Sequence, residues 1–113
     1  MLDELLHRVR GYSPRPLETE RSFPEAAVLV PITRSDEPEL VLTLRASGLS
    51  THSGEVAFPG GRRDPEDRDL VDTALREAEE EIGLPPGLVE MVGPLSSLVS
   101  RHGIQVTPYV GLV

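Results

Sequence analysis

The sequence of 113 residues contains no cysteine and no tryptophan, and all eleven of its basic residues are arginine. Without cysteine, neither a disulfide framework nor a zinc site made of thiolates can form. Without lysine, a P-loop lysine, a Schiff-base lysine and a lysine general base are excluded. Aromatic residues make up only 4% of the chain, so the core must be built mainly from Val, Leu and Ile.

Long apolar runs are also missing. No stretch approaches the roughly 20 apolar residues that a membrane-spanning helix needs. Residues 1–10 (MLDELLHRVR) lack the basic start and apolar centre of a signal peptide. We therefore expect a cytoplasmic protein that does not associate with membranes.

Positive charge is scarce in one segment in particular. The chain has a net charge of −8, and residues 64–81 hold nine acids against two arginines, which gives −7 for that segment alone. A concentrated negative field repels a nucleic-acid backbone and attracts hard cations. The charge pattern therefore predicts no nucleic-acid partner.

Apolar periodicity predicts a mixed α/β domain with a helix packed on a sheet. The predicted helices cover residues 1–10 and 70–82. Strands are expected at 26–33, 40–44, 55–58, 88–99 and 104–113, the first two of them forming a hairpin. Residues 59–67 have the composition of a loop. We divide the chain into an N-terminal helix and lead-in, residues 1–24, and a domain at residues 25–113.

The second predicted helix carries an unusual set of acids. At about 100° per residue, its apolar positions form one stripe, and Glu77, Glu80 and Glu81 fall together on one flank. Glu79 falls on the opposite side. Like charges at these spacings destabilise a helix by about 0.2–0.5 kcal/mol per pair. The helix dipole also disfavours anions in the C-terminal half.

Two interpretations of this acidic flank remain open. It can be a solvated face in which Arg76 pairs with Asp72 and Glu80. Alternatively, it can bind a dication, and ligands that are all oxygen suit magnesium or manganese. The preceding Phe58–Gly61 favours the second interpretation, because adjacent glycines let a main-chain carbonyl approach a metal or phosphate closely.

These residues resemble the signature of the Nudix hydrolase family, G-x5-E-x7-R-E-U-x-E-E-x-G-U, where U is a bulky apolar residue. The second half of the signature matches at Arg76, Glu77, Glu80, Glu81, Gly83 and Leu84, and Gly61 matches its first glycine. Two departures stand out. Gly61 and Arg76 are one residue further apart than in the signature, and either Asp67 or Glu66 replaces its isolated glutamate.

The residues around this signature are similar to the coenzyme A pyrophosphatase branch of the family. The matching segments are residues 42–46 (LTLRA), 54–61 (GEVAFPGG) and 102–111 (HGIQVTPYVG). Ser50 stands where the branch has a second arginine. The resemblance implies a Nudix-type α/β/α sandwich with a mixed sheet, here expected to be truncated at its C-terminal end.

The function implied by the resemblance is hydrolysis of a diphosphate with Mg²⁺ or Mn²⁺ as cofactor. The leading substrate is coenzyme A or a derivative, cleaved to a phosphopantetheine and adenosine 3′,5′-bisphosphate. A Nudix hydrolase of another nucleoside diphosphate derivative and a degenerate ligand-binding module are the alternatives. The expected partner is a small nucleotide substrate, and a homodimer is left open.

The resemblance also assigns roles to individual residues. Glu77 and Glu81 are expected to bind the metal, with Glu80 as a further ligand or as the general base. Arg76 would orient the carboxylates, and the Gly61 carbonyl would face the metal. Three arginines are candidates for contacts with the substrate phosphates: Arg45, Arg62 and Arg63. Arg45 could instead be a surface residue at a strand end, and Arg62 and Arg63 could instead offset the charge of the acidic helix.

Overall fold

Two strands of eight residues, β1 (Glu25–Ile32) and β7 (Gln105–Leu112), run parallel at the centre of a mixed sheet. The computed structural model describes residues 1–17, 22–44 and 56–113. Three shorter strands pair antiparallel with this central pair. They are β4 (Gly60–Arg62) beside β1, and β5 (Glu90–Pro94) and β6 (Leu98–Val99) beside β7.

The predicted hairpin between residues 26–33 and 40–44 forms only at its turn end. An antiparallel bridge joins Ile32 to Leu40. On either side of it, the Thr33 N–H donates to the Glu39 carbonyl at 2.9 Å and the Val41 N–H donates to the Pro31 carbonyl at 3.0 Å. Beyond it, β2 (Thr43–Leu44) pairs with β3 (Val56–Ala57) in a separate two-stranded sheet. The position beside β1 is taken by β4, whose residues were predicted to be a loop. Their glycine-rich composition indicates a turn, and only pairing with β1 makes them a strand.

Helix α2 (Leu70–Ile82) has the bounds that the sequence predicted, because both of its ends carry local signals. At the start, the Asp69 carboxylate accepts a hydrogen bond from the main-chain N–H of Asp72 at 2.9 Å. At the end, Gly83 takes a left-handed conformation with φ of 67°. Its N–H donates to the Glu79 carbonyl, which satisfies a carbonyl of the last helical turn.

The two helices cover opposite faces of the sheet. Helix α2 packs on the face that carries Ala27 and Leu29, and Ala74 and Ala78 are fully buried there. Alternate residues of β1 point the other way. On that second face, α1 (Leu2–Arg10) and the sheet enclose a mostly apolar cleft of about 320 Å³ with Leu5, Val9 and Val30 in its lining. The predicted mixed α/β fold is therefore confirmed.

An ion pair and a hydrogen bond attach the N-terminal segment to β5 and to the loop that follows it. Arg10 contacts Glu90 at the start of β5 at 3.0 Å, and the Tyr12 hydroxyl bonds to Ser96. In residues 1–17, 22–44 and 56–113, neither helix has the length and apolar character needed to cross a bilayer.

The left-handed end of α2 leads to the first prediction. We expect Gly83→Ala to lower the free energy of unfolding by about 1–2 kcal/mol, because a Cβ is disfavoured in this conformation. No neighbouring atom lies within 4 Å of such a Cβ, so the cost is conformational alone. Chemical denaturation measures it.

The matched control for this prediction is Gly87→Ala. Gly87 also has open space around it but lacks a positive φ. Equal destabilisation by the two substitutions would contradict the proposed cause.

Candidate functional site

Helix α2 places its acidic flank beside the edge strand β4. The helix packs against β1 and β4, and its fully buried residues on this side are Thr73, Ala74 and Ala78. Because these three residues fix the rotation of the helix, Glu77 and Glu81 contact the glycine pair of β4, whereas Glu80 on the same flank is more exposed. Glu79 is exposed elsewhere on the helix surface.

The glycine pair makes close contact with two of these acids. The main-chain N–H of Gly60 donates to Oε2 of Glu81 at 3.1 Å. A Cβ added to Gly61 would lie 2.6 Å from the Glu77 carboxyl carbon and 2.7 Å from its Oε1. Only glycine therefore lets the Glu77 carboxylate lie directly against this strand.

The pairing of β4 with β1 distinguishes the two glycines. The Leu29 N–H donates to the Pro59 carbonyl, and the Arg63 N–H donates to the Glu25 carbonyl. Since hydrogen-bonded pairs alternate in an antiparallel ladder, the intervening bonded pair is Ala27 with Gly61. The main-chain groups of Gly61 thus face β1, whereas those of Gly60 face away from it and toward Glu81.

Arg76 lies at the centre of the ion-pair network behind the flank. Its Nε and Nη2 donate to the two carboxylate oxygens of Asp67 at 3.1 and 2.9 Å. Nη2 also donates to the Arg62 carbonyl at 3.2 Å. The guanidinium therefore joins the helix both to β4 and to the loop that follows it.

Asp67 is buried and accepts four hydrogen bonds. Besides the two from Arg76, the Thr73 hydroxyl and the Asp64 N–H each donate to its Oδ2 at 2.9 Å. The hydrogen bonds from Arg76 hold the pKa of the Asp67 carboxyl far below its ordinary value of 3.8, against the opposing effect of burial. The same pair raises the pKa of Arg76.

The structure distinguishes the two acids that the sequence left as alternatives. Asp67 binds Arg76, whereas Glu66 is exposed and its N–H bonds to the Asp64 carboxylate. Of the two pairings in the solvated-face interpretation, that of Arg76 with Glu80 is formed at 3.5 Å, whereas that of Arg76 with Asp72 is not. Asp72 instead binds Arg68, which lies in the turn before the helix, at 2.9 Å.

The remaining nitrogen of Arg76 faces the acidic flank. Nη1 lies 2.9 Å from Oε1 of Glu77 and 3.5 Å from Oε1 of Glu80. The Glu77 side chain is 17% exposed and that of Glu80 is 59% exposed. Glu77 is thus held between Arg76 and Gly61, while Glu80 reaches into solvent.

The carboxylates do not form a ready-made metal cluster. Within the described parts of the chain, no three His, Asp or Glu side chains converge closely enough to hold an ion. Glu77 is turned to Arg76 and Glu81 to the Gly60 N–H. These groups nevertheless suit a hard dication, because they are carboxylate oxygens. They lie close to the main chain of β4, which a side chain at Gly61 would prevent.

The three candidate phosphate contacts have different surroundings. Arg62 is exposed and lines a cavity of about 180 Å³ on the sheet face opposite α2. The Arg63 guanidinium donates to the carbonyls of Asp67 and Arg68 at 3.2 Å, which supports the loop before the helix. Arg45 lies outside the described residues. The substrate contacts of all three stay predictions.

Thr73 was not singled out from the sequence, and Gly60 was noted only as one of two adjacent glycines, without a contact of its own. Thr73 precedes Glu77 by four residues, so its place on the same helical flank was visible in the sequence. That its hydroxyl meets Asp67 depends on the path of the loop. The contact of Gly60 with Glu81 depends on the register of β4 against β1, and the sequence does not show this register.

Comparison with known proteins gives one consistent result. The NUDIX domain model matches residues 23–111. The chain is 48% identical over 112 residues to the uncharacterized Nudix hydrolase NudL of Yersinia enterocolitica, covering 99% of this chain and 57% of that protein. The chain spans about half the length of the curated relatives it matches.

Solved structures show the same fold. The Nudix hydrolase RenU of M. smegmatis superposes with a TM-score of 0.65 at 23% identity, covering 79% of this chain and 60% of that one. The NUDIX domain of Shewanella oneidensis NrtR, crystallised with ADP ribose, has a TM-score of 0.63 at 21% identity. That match covers 95% of this chain and 69% of the NrtR domain.

The buried pair predicts a pH-dependent contribution to stability. We expect Asp67→Asn to destabilise the protein by about 2 kcal/mol at pH 7, because the Nε and Nη2 groups of Arg76 lose the buried carboxylate that they both bind. The lowered pKa means that the native Asp67 contributes fully above pH 3.8 and loses its contribution as the pH falls below that value. The difference between the two proteins should therefore shrink on acidification.

Denaturant unfolding at a series of pH values from 7 to 2.5 measures this difference. Glu66→Gln is the matched control, since it removes the neighbouring exposed acid and should change little at any pH. A constant difference between Asp67→Asn and the native protein across the series would contradict the assignment.

Proposed function

The chain belongs to the NUDIX domain family, and from this membership we propose that the protein hydrolyses the diphosphate of a nucleoside diphosphate derivative with a bound divalent metal. The observation that carries the proposal is the contact of Glu77 and Glu81 with the glycine pair of β4. A helix selected for stability alone would not gather anions in its C-terminal half. A bound dication removes that penalty.

The metal would be Mg²⁺ or Mn²⁺, held by Glu77 and Glu81. Bound there, the cation would neutralise diphosphate charge and lower the pKa of a water. Gly61 was predicted to add its carbonyl, but the ladder turns this group toward β1. We therefore expect the Gly60 carbonyl, which faces away from β1, to be the better placed donor.

The protein's own groups have separate tasks in this proposal. Arg76 holds Glu77 in place and neutralises part of the charge of the flank. Glu80 is exposed and only loosely paired with Arg76, so its carboxylate can accept a proton from an attacking water or serve as a further metal ligand.

For the substrate, we propose coenzyme A or one of its derivatives, cleaved to a phosphopantetheine and adenosine 3′,5′-bisphosphate. Similarity to the coenzyme A pyrophosphatase branch at residues 42–46, 54–61 and 102–111 supports this choice. A cavity of about 180 Å³ lies on the other side of the glycine pair from α2. Phe58, Val28 and Ile104 give this cavity apolar walls for a part of the substrate without charge, and Arg62 could meet a phosphate there.

The substrate proposal is tested by a panel of diphosphates incubated with Mg²⁺ or Mn²⁺ in water enriched in oxygen-18. We expect coenzyme A to give a phosphopantetheine and adenosine 3′,5′-bisphosphate, one of them carrying the heavy oxygen, as measured by mass spectrometry. Hydrolysis of ADP-ribose, a nucleotide sugar or a dinucleotide without hydrolysis of coenzyme A would overturn the substrate choice. Binding without any hydrolysis would indicate a ligand-binding module.

The metal proposal is tested by removing single carboxylates. We expect Glu77→Gln and Glu81→Gln each to weaken Mn²⁺ binding by at least about tenfold, because each removes a charged ligand. Electron paramagnetic resonance of free Mn²⁺ measures the affinity without substrate.

Glu79→Gln is the matched control for this test. It removes the same charge from the same helix, but on the side away from the glycine pair. Equal weakening by all three substitutions would show that the ion responds only to the net charge of the helix and would contradict the site.

A further inference from the structure

A fully buried hydroxyl lies one helical turn before the acidic flank. Thr73 has no exposed surface, although it carries a polar group inside the helix. A buried threonine in a helix often bonds to the carbonyl four residues earlier. Here that carbonyl, of Asp69, is 3.3 Å from the hydroxyl, whereas Oδ2 of Asp67 is only 2.9 Å away. Since a hydroxyl has one proton, the shorter bond to the carboxylate is the favoured one.

The bond from Thr73 completes the set of donors that fixes the Asp67 carboxylate. Oδ2 accepts from Thr73, from the Asp64 N–H and from Nη2 of Arg76, and Oδ1 accepts from Nε of Arg76. Thr73 and Asp64 approach from the helix and the turn. They thereby orient the carboxylate so that both of its oxygens meet the guanidinium in the two-bond arrangement.

The orientation of Asp67 in turn determines where Arg76 points. Because Nε and Nη2 both bind Asp67, the orientation of the planar guanidinium is fixed, and with it the position of Nη1. In this position Nη1 donates to the Glu77 carboxylate at 2.9 Å. A continuous path of hydrogen bonds thus runs from the Thr73 hydroxyl through Asp67 and Arg76 to Glu77.

We propose that Thr73 is a positioning residue for the metal-binding carboxylates, acting through Asp67 and Arg76. The expected effect of Thr73 on catalysis rests on the proposed function. The hydrogen-bond path itself can be measured without any activity. Burial of the hydroxyl would cost stability if it had no partner, so its presence here is explained by the bond to Asp67.

The test compares Thr73→Val, which keeps the shape but removes the hydroxyl, with Thr73→Ser, which keeps the hydroxyl. We expect Thr73→Val to weaken Mn²⁺ binding and to lower kcat by about tenfold. Thr73→Ser should retain both properties within about twofold, because its hydroxyl can make the same bond. Equal loss in the two variants would mean that Thr73 acts only by packing, and would overturn the proposal.

A double-substitution cycle tests the path. In an Asp67→Asn background, adding Thr73→Val should have little further effect on Mn²⁺ affinity, since the path is already broken. Full additivity of the two changes would overturn the proposal. If Thr73→Val does not fold, as judged by circular dichroism, Thr73→Ala against Thr73→Ser gives the same comparison.

A nuclear magnetic resonance measurement separates this proposal from the proposed function. The Arg76 Nε–H should exchange with water several-fold faster in Thr73→Val than in Thr73→Ser, because its carboxylate partner is less well oriented. An unchanged exchange rate would overturn the positioning role. Lack of hydrolysis by the native protein would contradict the proposed function alone, since the exchange rate and the Mn²⁺ affinity need no substrate.

Discussion

The ion pair between Arg76 and Asp67 is the interaction on which the arrangement of the site depends. Asp67 lies in the loop that follows β4, and Arg76 lies in the middle of α2. The pair therefore ties the loop to the helix, while the bond from Arg76 to the Arg62 carbonyl ties the helix to the edge strand. Three parts of the chain converge on one guanidinium, whose planar set of donors matches this geometry.

Around this pair, two features of the structure would each lower stability if they occurred alone. Like charges lie together on the C-terminal half of a helix, and a charged carboxylate is buried. The ends of α2 are by contrast well formed, with an aspartate at the start and a left-handed glycine at the end. Local departures from favourable chemistry next to well-formed structure are expected at functional sites. These departures meet at Arg76, next to the two glutamates that contact the glycine pair, which supports the proposed metal site.

The fold and the site were predictable to different degrees. The bounds of α2 followed from its apolar period and end signals, and the two central strands followed from their apolar runs. The antiparallel partner of β1 could not be predicted from the sequence, because Gly60–Arg62 has little strand propensity and becomes a strand only through pairing. The partner of Arg76 was open for a similar reason. Glu66 and Asp67 differ by one position in a turn, and the path of the turn decides which one is buried.

By itself, the sequence determined the helical flank that gathers Glu77, Glu80 and Glu81 and separates them from Glu79. That grouping follows from the 3.6-residue period, which is a local property of the chain. Only the tertiary structure decided which groups this flank meets. The contacts with Gly60, Gly61 and Asp67 depend on the strand register and on the packing of α2 against the sheet. Those are long-range interactions, and the spacing of residues along one segment does not encode them.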